Sequence, residues 1–146
     1  MRPNFREQNS FGMLNSQKIG NEFYQNLGKL FYAIAMADHE VRPVEVARLR
    51  EYVRQYWLNM DDFEDEFHTD AAYQIEIVFD WLQEEEKEGE EYFKEFKDFY
   101  KEHPEKFSPK LNALIIETAE SIASSFAGKN RSEMLIIFKL KQLLDH

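Results

Sequence analysis

Hydrophobic positions recur at intervals of three and four residues along most of the chain, and no segment alternates strictly between apolar and polar residues. The first pattern is typical of helices that bury one face, whereas the second would indicate strands. Only 5 glycines and 4 prolines interrupt the chain. The sequence therefore predicts an all-α fold, a compact single-domain bundle of about six amphipathic helices.

The predicted helices form one domain behind a short arm. Residues 1–15 are polar and show no helical period, so we expect a flexible N-terminal arm there. Residues 16–146 are long enough for a single hydrophobic core and predict one helical domain. Its first helix runs from Ser16 to Ala37. Because the last turn of that helix is apolar on every side, we expect it to cross the middle of the core.

Two further helices are predicted before residue 90. Pro43 suits the first turn of a helix that continues to Leu58, since the missing N–H is not needed there. Residues 59–70 are compatible with a short helix or a loop. Thr69 or Asp70 can cap a third helix. The expected apolar face of that helix consists of Tyr73, Ile77, Val78, Trp81 and Leu82.

A stripe of aromatic residues marks the segment from Glu90 to His103. The stripe consists of Tyr92, Phe93, Phe96, Phe99 and Tyr100. Such a pattern is typical of a helix face buried in a core. The alternative is an exposed groove or dimer face, where Tyr and Phe are over-represented. Stacking on single-stranded nucleic acid is excluded, because the flanking glutamates oppose a polyanion.

Capping signals delimit the last two predicted helices. Ser108 and Pro109 provide the N-cap and first turn of a helix that ends at Gly128. The segment Asn130-Arg131-Ser132-Glu133 resembles a capping box and predicts the start of the final helix. The apolar residues of that helix are Met134, Leu135, Ile137, Phe138, Leu140, Leu143 and Leu144.

The charge is strongly acidic and unevenly distributed. The 146 residues carry a formal net charge of -10, and the acidic middle segment, residues 61–106, alone carries -13. A solvated surface accounts for such acidity, and a face that attracts cations or a partner is the alternative. Nucleic acid is not an expected partner, because its binding rests largely on Lys and Arg.

Composition excludes several classes of chemistry and location. The chain contains no cysteine, so disulfides, thiolate zinc sites and cysteine nucleophiles are absent. Neither a serine nucleophile elbow nor a glycine-rich phosphate loop occurs, so we do not expect an enzyme. An enzyme with a carboxylate-metal centre is the alternative, although no motif supports it. The longest apolar stretch, Leu30 to Ala37, is too short for a membrane span, and no secretory signal is visible. These features predict a cytoplasmic protein.

The turn after the first predicted helix brings three carboxylates together, namely Asp38, Glu40 and Glu45. Carboxylates that lie close together repel one another unless a cation or a basic side chain sits among them. Oxygen clusters suit Ca²⁺ and Mg²⁺, and His39 could add a nitrogen ligand for Mn²⁺ or Zn²⁺. Helix-end effects offer an alternative, since Glu45 suits a first turn and Asp38 can cap a helix without metal.

The segment from Leu30 to Glu45 resembles the loop of the TerB-like family, the all-helical domains associated with tellurite resistance. In that family an apolar helix ends in Ala-x-Ala-Asp-Gly. This end is followed by one residue of any type, an aliphatic residue, a position that is usually Ser, two residues of any type and then Glu. Asp38, Val41 and Glu45 match this pattern, whereas His39 replaces the usual Gly and Arg42 the usual Ser.

The family generally carries a second, similar loop, and residues 122–133 are the counterpart here. This loop departs from the pattern, because Ala127 replaces the Asp and the interval to Glu133 is one residue short. The resemblance implies a non-catalytic helical domain with an acidic pocket that binds divalent cations, in a stress-response or membrane-linked setting. It implies Asp38 and Glu45 as ligands, with Glu133 as a third. Glu40 and His39 are added from their position in the loop.

A second functional hypothesis needs no metal. The acidic segment 61–106 and the aromatic stripe could together form a protein-protein interaction module, whose partner is an unidentified protein or a second copy of the chain. The cation hypothesis predicts that ions stabilise the fold, whereas the interaction hypothesis predicts an exposed stripe.

Overall fold

The computed structural model describes residues 11–59, 71–125 and 131–145, with side chains from Glu22 onward. These residues contain six α-helices and no strand, so the predicted all-α bundle is confirmed. The helices are α1 (Phe11–Ala35), α2 (Pro43–Gln55), α3 (Gln74–Glu84), α4 (Glu90–Glu102), α5 (Pro109–Ala123) and α6 (Arg131–Leu144). Two short 3-10 turns, Trp57–Asn59 and Pro104–Lys106, follow α2 and α4.

Several predicted boundaries shift. Helix α1 begins at Phe11, before the predicted Ser16, while residues 1–10 of the predicted arm lie outside the described residues. Helix α2 ends at Gln55, and the 3-10 turn that follows buries Trp57. The predicted caps Thr69 and Asp70 lie outside the described residues, as do residues 60–68 and 126–130.

Helix α1 is the central element, and it packs most extensively against α3 and α4. Its residues from Leu30 to Ala35 are all buried, which confirms the prediction that the end of this helix crosses the core. Gly28 is the point of closest approach to α3. A Cβ atom at Gly28 would lie 2.7 Å from the carbonyl oxygen of Ile75, so only glycine fits between these backbones.

The aromatic stripe of α4 belongs to the core. Phe96 is fully buried, Tyr92 and Phe99 are nearly so, and Phe93 and Tyr100 pack against the same core while partly exposed. The ring of Phe107, which follows the second 3-10 turn, contacts Phe96 edge-on at 5.9 Å. This arrangement confirms the core interpretation for Tyr92, Phe96 and Phe99 and leaves Phe93 and Tyr100 partly exposed.

Only part of the apolar face predicted for α3 is buried in the structure. Leu82 is buried, but Tyr73, Ile77 and Trp81 are 38%, 54% and 52% exposed. The buried residues are instead Ile75, Glu76, Phe79 and Leu82. Most sides of this helix carry an apolar residue, so periodicity alone could not select the inner face.

Helix α6 shows the same ambiguity. Ile137, Leu140 and Leu144 are buried. Met134, Leu135 and Phe138 instead lie on the opposite side and are 56%, 54% and 57% exposed. No helix among the described residues is long and apolar enough to cross a membrane.

Candidate functional site

The predicted loop lies between α1 and α2, where the chain reverses direction. His39 has a φ of 69°, a left-handed conformation that glycine adopts without strain. The backbone N–H of His39 donates to the carbonyl of Met36 at 2.8 Å, which closes the end of α1. A glycine at this position would adopt the same backbone conformation without strain.

Glu45 lies in the first turn of α2 and is completely buried. Its Oε1 accepts the backbone N–H of Arg42 at 2.8 Å, which is the reciprocal half of a capping box. Its Oε2 is buried, and no N–H or hydroxyl group of the described residues donates to it. The predicted helix-end role thus accounts for one oxygen of this carboxyl group and leaves the other unexplained.

Glu133 reaches the same point from a different part of the chain. It lies in the first turn of α6 and is 2% exposed. The side chains of Glu45 and Glu133 are within hydrogen-bonding reach of each other. Two helix N-termini, each with partial positive charge, therefore converge with one buried glutamate apiece.

The burial of this pair changes the acidity of Glu45. Loss of solvation, followed by the hydrogen bond to Glu133, raises the pKa of Glu45 from 4.5 to about 8, although the Arg42 N–H acts in the opposite direction. The raised pKa therefore favours the protonated form of Glu45 at neutral pH. Two adjacent buried carboxylates cannot both ionise without a positive charge between them.

The other loop carboxylates are held by Arg42. The guanidinium of Arg42 lies 2.9 Å from Oδ2 of Asp38 and 3.8 Å from Oε1 of Glu40. The Asp38 hydrogen bond, with the nearby acids, raises the pKa of Arg42, so this side chain keeps its charge. Asp38 also accepts the backbone N–H of Glu40 at 3.3 Å. In this loop Arg42 supplies the positive charge that a metal would otherwise bring to Asp38 and Glu40.

His39 points away from the glutamate pair. Its side chain is 78% exposed, and Nδ1 lies 3.5 Å from Oε1 of Glu88 in the turn before α4. The structure thus joins two of the five predicted ligands, Glu45 and Glu133, and places the other three around Arg42 or in solvent. No group of three or more Asp, Glu or His able to hold a metal occurs among the described residues.

Glu76 provides a useful contrast, because it is buried on α3 with its charge neutralised. Its Oε1 lies 2.8 Å from Arg50 and 3.3 Å from Arg54, and Arg50 also binds Asp80 at 2.9 Å. These ion pairs connect α2 with α3 and need no further cation. Glu45 takes part in no such ion pair among the described residues, and its burial instead raises the pKa of its carboxyl group.

Models of known protein families, characterised proteins and solved structures were all compared with this chain, and none matches. The assignment of function therefore rests on the site itself.

Sequence reasoning missed two features of this site. The first is the role of Arg42, although its position four residues after Asp38 is a spacing that favours ion pairs. The second is that Glu45 and Glu133, which the resemblance groups with Asp38, form a buried pair from which Asp38 is separate. Both residues occupy the first turn of a predicted helix, but only the packing of α6 brings the two turns together.

Proposed function

We propose that this chain is a non-catalytic, cytoplasmic TerB-like domain that binds one divalent cation between Glu45 and Glu133. The observation that carries the proposal is the contact of two fully buried glutamates at two helix N-termini, with Glu45 Oε2 accepting from no donor among the described residues. A proton or a cation must occupy such a pair. Hard divalent ions prefer carboxylate oxygens, so these residues fit the ion that the family resemblance implies.

The proposed ligand set is narrower than the loop pattern suggested. Glu45 and Glu133 bind the ion directly, and waters complete its coordination, as is usual for Mg²⁺. Asp38 and Glu40 remain with Arg42, and this arrangement keeps a second positive charge next to the site. Because Arg42 repels a cation and replaces the usual Ser, we expect weaker binding here than in a loop that carries Ser.

The test is thermal unfolding of chelator-stripped protein at about pH 7.5, with and without Ca²⁺, Mg²⁺, Mn²⁺ or Zn²⁺ at matched ionic strength. A ligand at about 100 times its dissociation constant adds roughly 2.7 kcal/mol to the free energy of unfolding. We expect at least one ion to raise the unfolding midpoint of the wild type. Absence of a shift with all four ions would overturn the proposal.

Variants locate the site. Glu45→Gln and Glu133→Gln keep the size and hydrogen-bonding capacity of each side chain, and each should abolish the ion-induced shift. Glu40→Gln is the matched control, because Glu40 belongs to the same loop but is 69% exposed and contacts Arg42. A shift that survives both buried substitutions would place the cation elsewhere, and we would then test the acidic segment 61–106.

A further inference from the structure

An open groove lies between the end of α1, the start of α4 and one side of α6. Its volume is about 510 Å³, and its apolar wall includes Met36, Phe93, Leu135 and Ile136. This volume falls in the range of binding sites that take several side chains or a small molecule. We call it the α4–α6 groove.

The rims of the α4–α6 groove carry opposite charges. Glu88 and Glu90 line the groove from the turn before α4 and its first residue, and Lys139 lines it from α6; we call these two sides the acidic and the basic rim. Glu90 and Lys139 take part in no ion pair within the described part of the chain. Each rim therefore has a charge available for an external partner.

The apolar surface does not end at the groove. Leu135 lines the groove and is 54% exposed, and on the adjoining side of α6 lie Met134 and Phe138, which are 56% and 57% exposed. Three large apolar side chains within five residues form a contiguous exposed patch. Such patches mark interaction sites more often than isolated exposed residues do.

The same surface thus combines a recess, protruding apolar side chains, an acidic rim and a basic rim. A two-fold contact brings one patch against an identical one, so it requires a surface that is complementary to itself. An acidic and a basic rim on opposite sides of an apolar centre meet that requirement, because rotation by 180° sets each rim against its opposite.

We propose that the α4–α6 groove and the exposed face of α6 form a two-fold interface with a second copy of this chain. In this dimer the two grooves face each other across the two-fold axis, Leu135 of each copy packs against the apolar wall of the other groove, and Lys139 of each copy faces Glu90 of the other. The proposal uses none of the atoms of the Glu45–Glu133 pair and is independent of cation binding.

The test is the molar mass of the full chain by sedimentation equilibrium, from about 1 to about 200 µM at roughly 0.15 M salt, where repulsion between two copies of charge -10 is largely screened. We expect a reversible increase from monomer to dimer. A chain that stays monomeric over the whole range overturns the proposal and leaves the groove for a different protein partner.

Variants at two exposed positions test whether the dimer forms through α6 or through the exposed apolar residues of α3. Leu135→Glu should raise the dimer dissociation constant at least about tenfold. Ile77→Glu on α3 is the matched control, because both side chains are 54% exposed, and it should leave the constant unchanged. Circular dichroism checks that both variants fold. Weaker dimerisation of Ile77→Glu alone would assign the interface to α3 and overturn the proposal.

Charge reversal tests the proposed pairing itself. Glu90→Lys and Lys139→Glu should each weaken the dimer, because each places like charges opposite one another. The double variant restores the pairing in the reversed sense and should recover most of the affinity. Additive weakening in the double variant would show that Glu90 and Lys139 do not meet across the interface, and this result would overturn the proposed arrangement.

Discussion

At the scale of single residues, one side chain decides the chemistry of the loop between α1 and α2. The guanidinium of Arg42 lies 2.9 Å from Asp38. The carboxylates that the sequence groups together are therefore divided into an arginine-bound set and a buried glutamate pair. Spacing predicted that Asp38, Glu40 and Glu45 share a turn, but it could not predict which positive charge each would meet.

His39 is strained by its backbone, and glycine should relieve that strain. Its φ of 69° lies in the left-handed region, where a residue with a Cβ is less stable by roughly 1 kcal/mol. The exposed contact with Glu88 contributes little. We expect His39→Gly to raise the free energy of unfolding by up to about 1 kcal/mol in urea denaturation.

The control for this change is His39→Ala, which removes the same side chain but keeps a Cβ. This variant should leave the free energy of unfolding unchanged or lower it slightly. Equal gains in the glycine and alanine variants would mean that the imidazole, rather than the backbone conformation, destabilises the loop.

The raised pKa of Glu45 predicts a specific pH dependence. The carboxyl group loses its proton near pH 4.5 in the unfolded chain and near pH 8 in the folded one. The folded state therefore binds more protons between these values, so its stability falls as pH rises through this window and levels off above it. Glu45→Gln mimics the protonated form and lacks this loss. With a chelator present, the difference between the unfolding midpoints of Glu45→Gln and wild type should therefore increase as the pH is raised from about 4.5 to about 8.

Glu40→Gln serves as the exposed control for this titration and should show no such trend. A difference between Glu45→Gln and wild type that is constant over the whole range would show that Glu45 ionises normally. Such a result would also remove the requirement for a proton or cation at the pair.

At the scale of helices, the hydrophobic period predicted which helices exist and roughly where they end, but it predicted less well which side of each helix is buried. The stripe on α4 was assigned correctly because charged residues occupy its other sides. On α3 and α6 apolar residues occupy more than one side, and the buried face depends on the neighbours that each helix meets. The burial of Glu76 on α3, for example, depends on Arg50 and Arg54 of α2, which no local pattern in α3 reveals.

The crossing of α1 and α3 predicts an unusual response at Gly28. Alanine is more favourable than glycine inside a helix by about 1 kcal/mol, so propensity alone predicts that Gly28→Ala stabilises the protein. The new Cβ would instead lie 2.7 Å from the Ile75 carbonyl oxygen and 3.0 Å from Val78 Cβ. We expect Gly28→Ala to lower the free energy of unfolding by at least about 1 kcal/mol in urea denaturation, since the two backbones must move apart.

Ala113→Gly is the matched control, because Ala113 is an exposed position inside α5. It should lower stability by about 1 kcal/mol through propensity alone. Both changes should therefore destabilise the protein although they run in opposite chemical directions. A gain in stability from Gly28→Ala would show that α1 and α3 do not approach as closely as described.

At the scale of the whole molecule, composition predicted the net charge but not where the charged residues lie on the folded surface. The excess of acid lies in residues 61–106, whose described part includes α3, α4 and the glutamate-rich turn between them. That turn forms the acidic rim of the α4–α6 groove, opposite Lys139 of α6. Since this juxtaposition depends on the packing of α6 against α5 and α1, the linear sequence could not reveal a surface with two charged rims.

The net charge of -10 predicts how the whole fold responds to salt. Repulsion among like charges destabilises the compact state, and monovalent ions screen it. Screening also weakens exposed ion pairs such as Lys94–Asp98, but such pairs contribute only about 0–1 kcal/mol each. We therefore expect the thermal unfolding midpoint to rise between about 0.01 and 0.5 M NaCl with a chelator present. KCl should act equally, because screening depends on ionic strength and not on the identity of the ion. A midpoint that falls with salt would show that ion pairs such as Arg50–Glu76 dominate over the general repulsion.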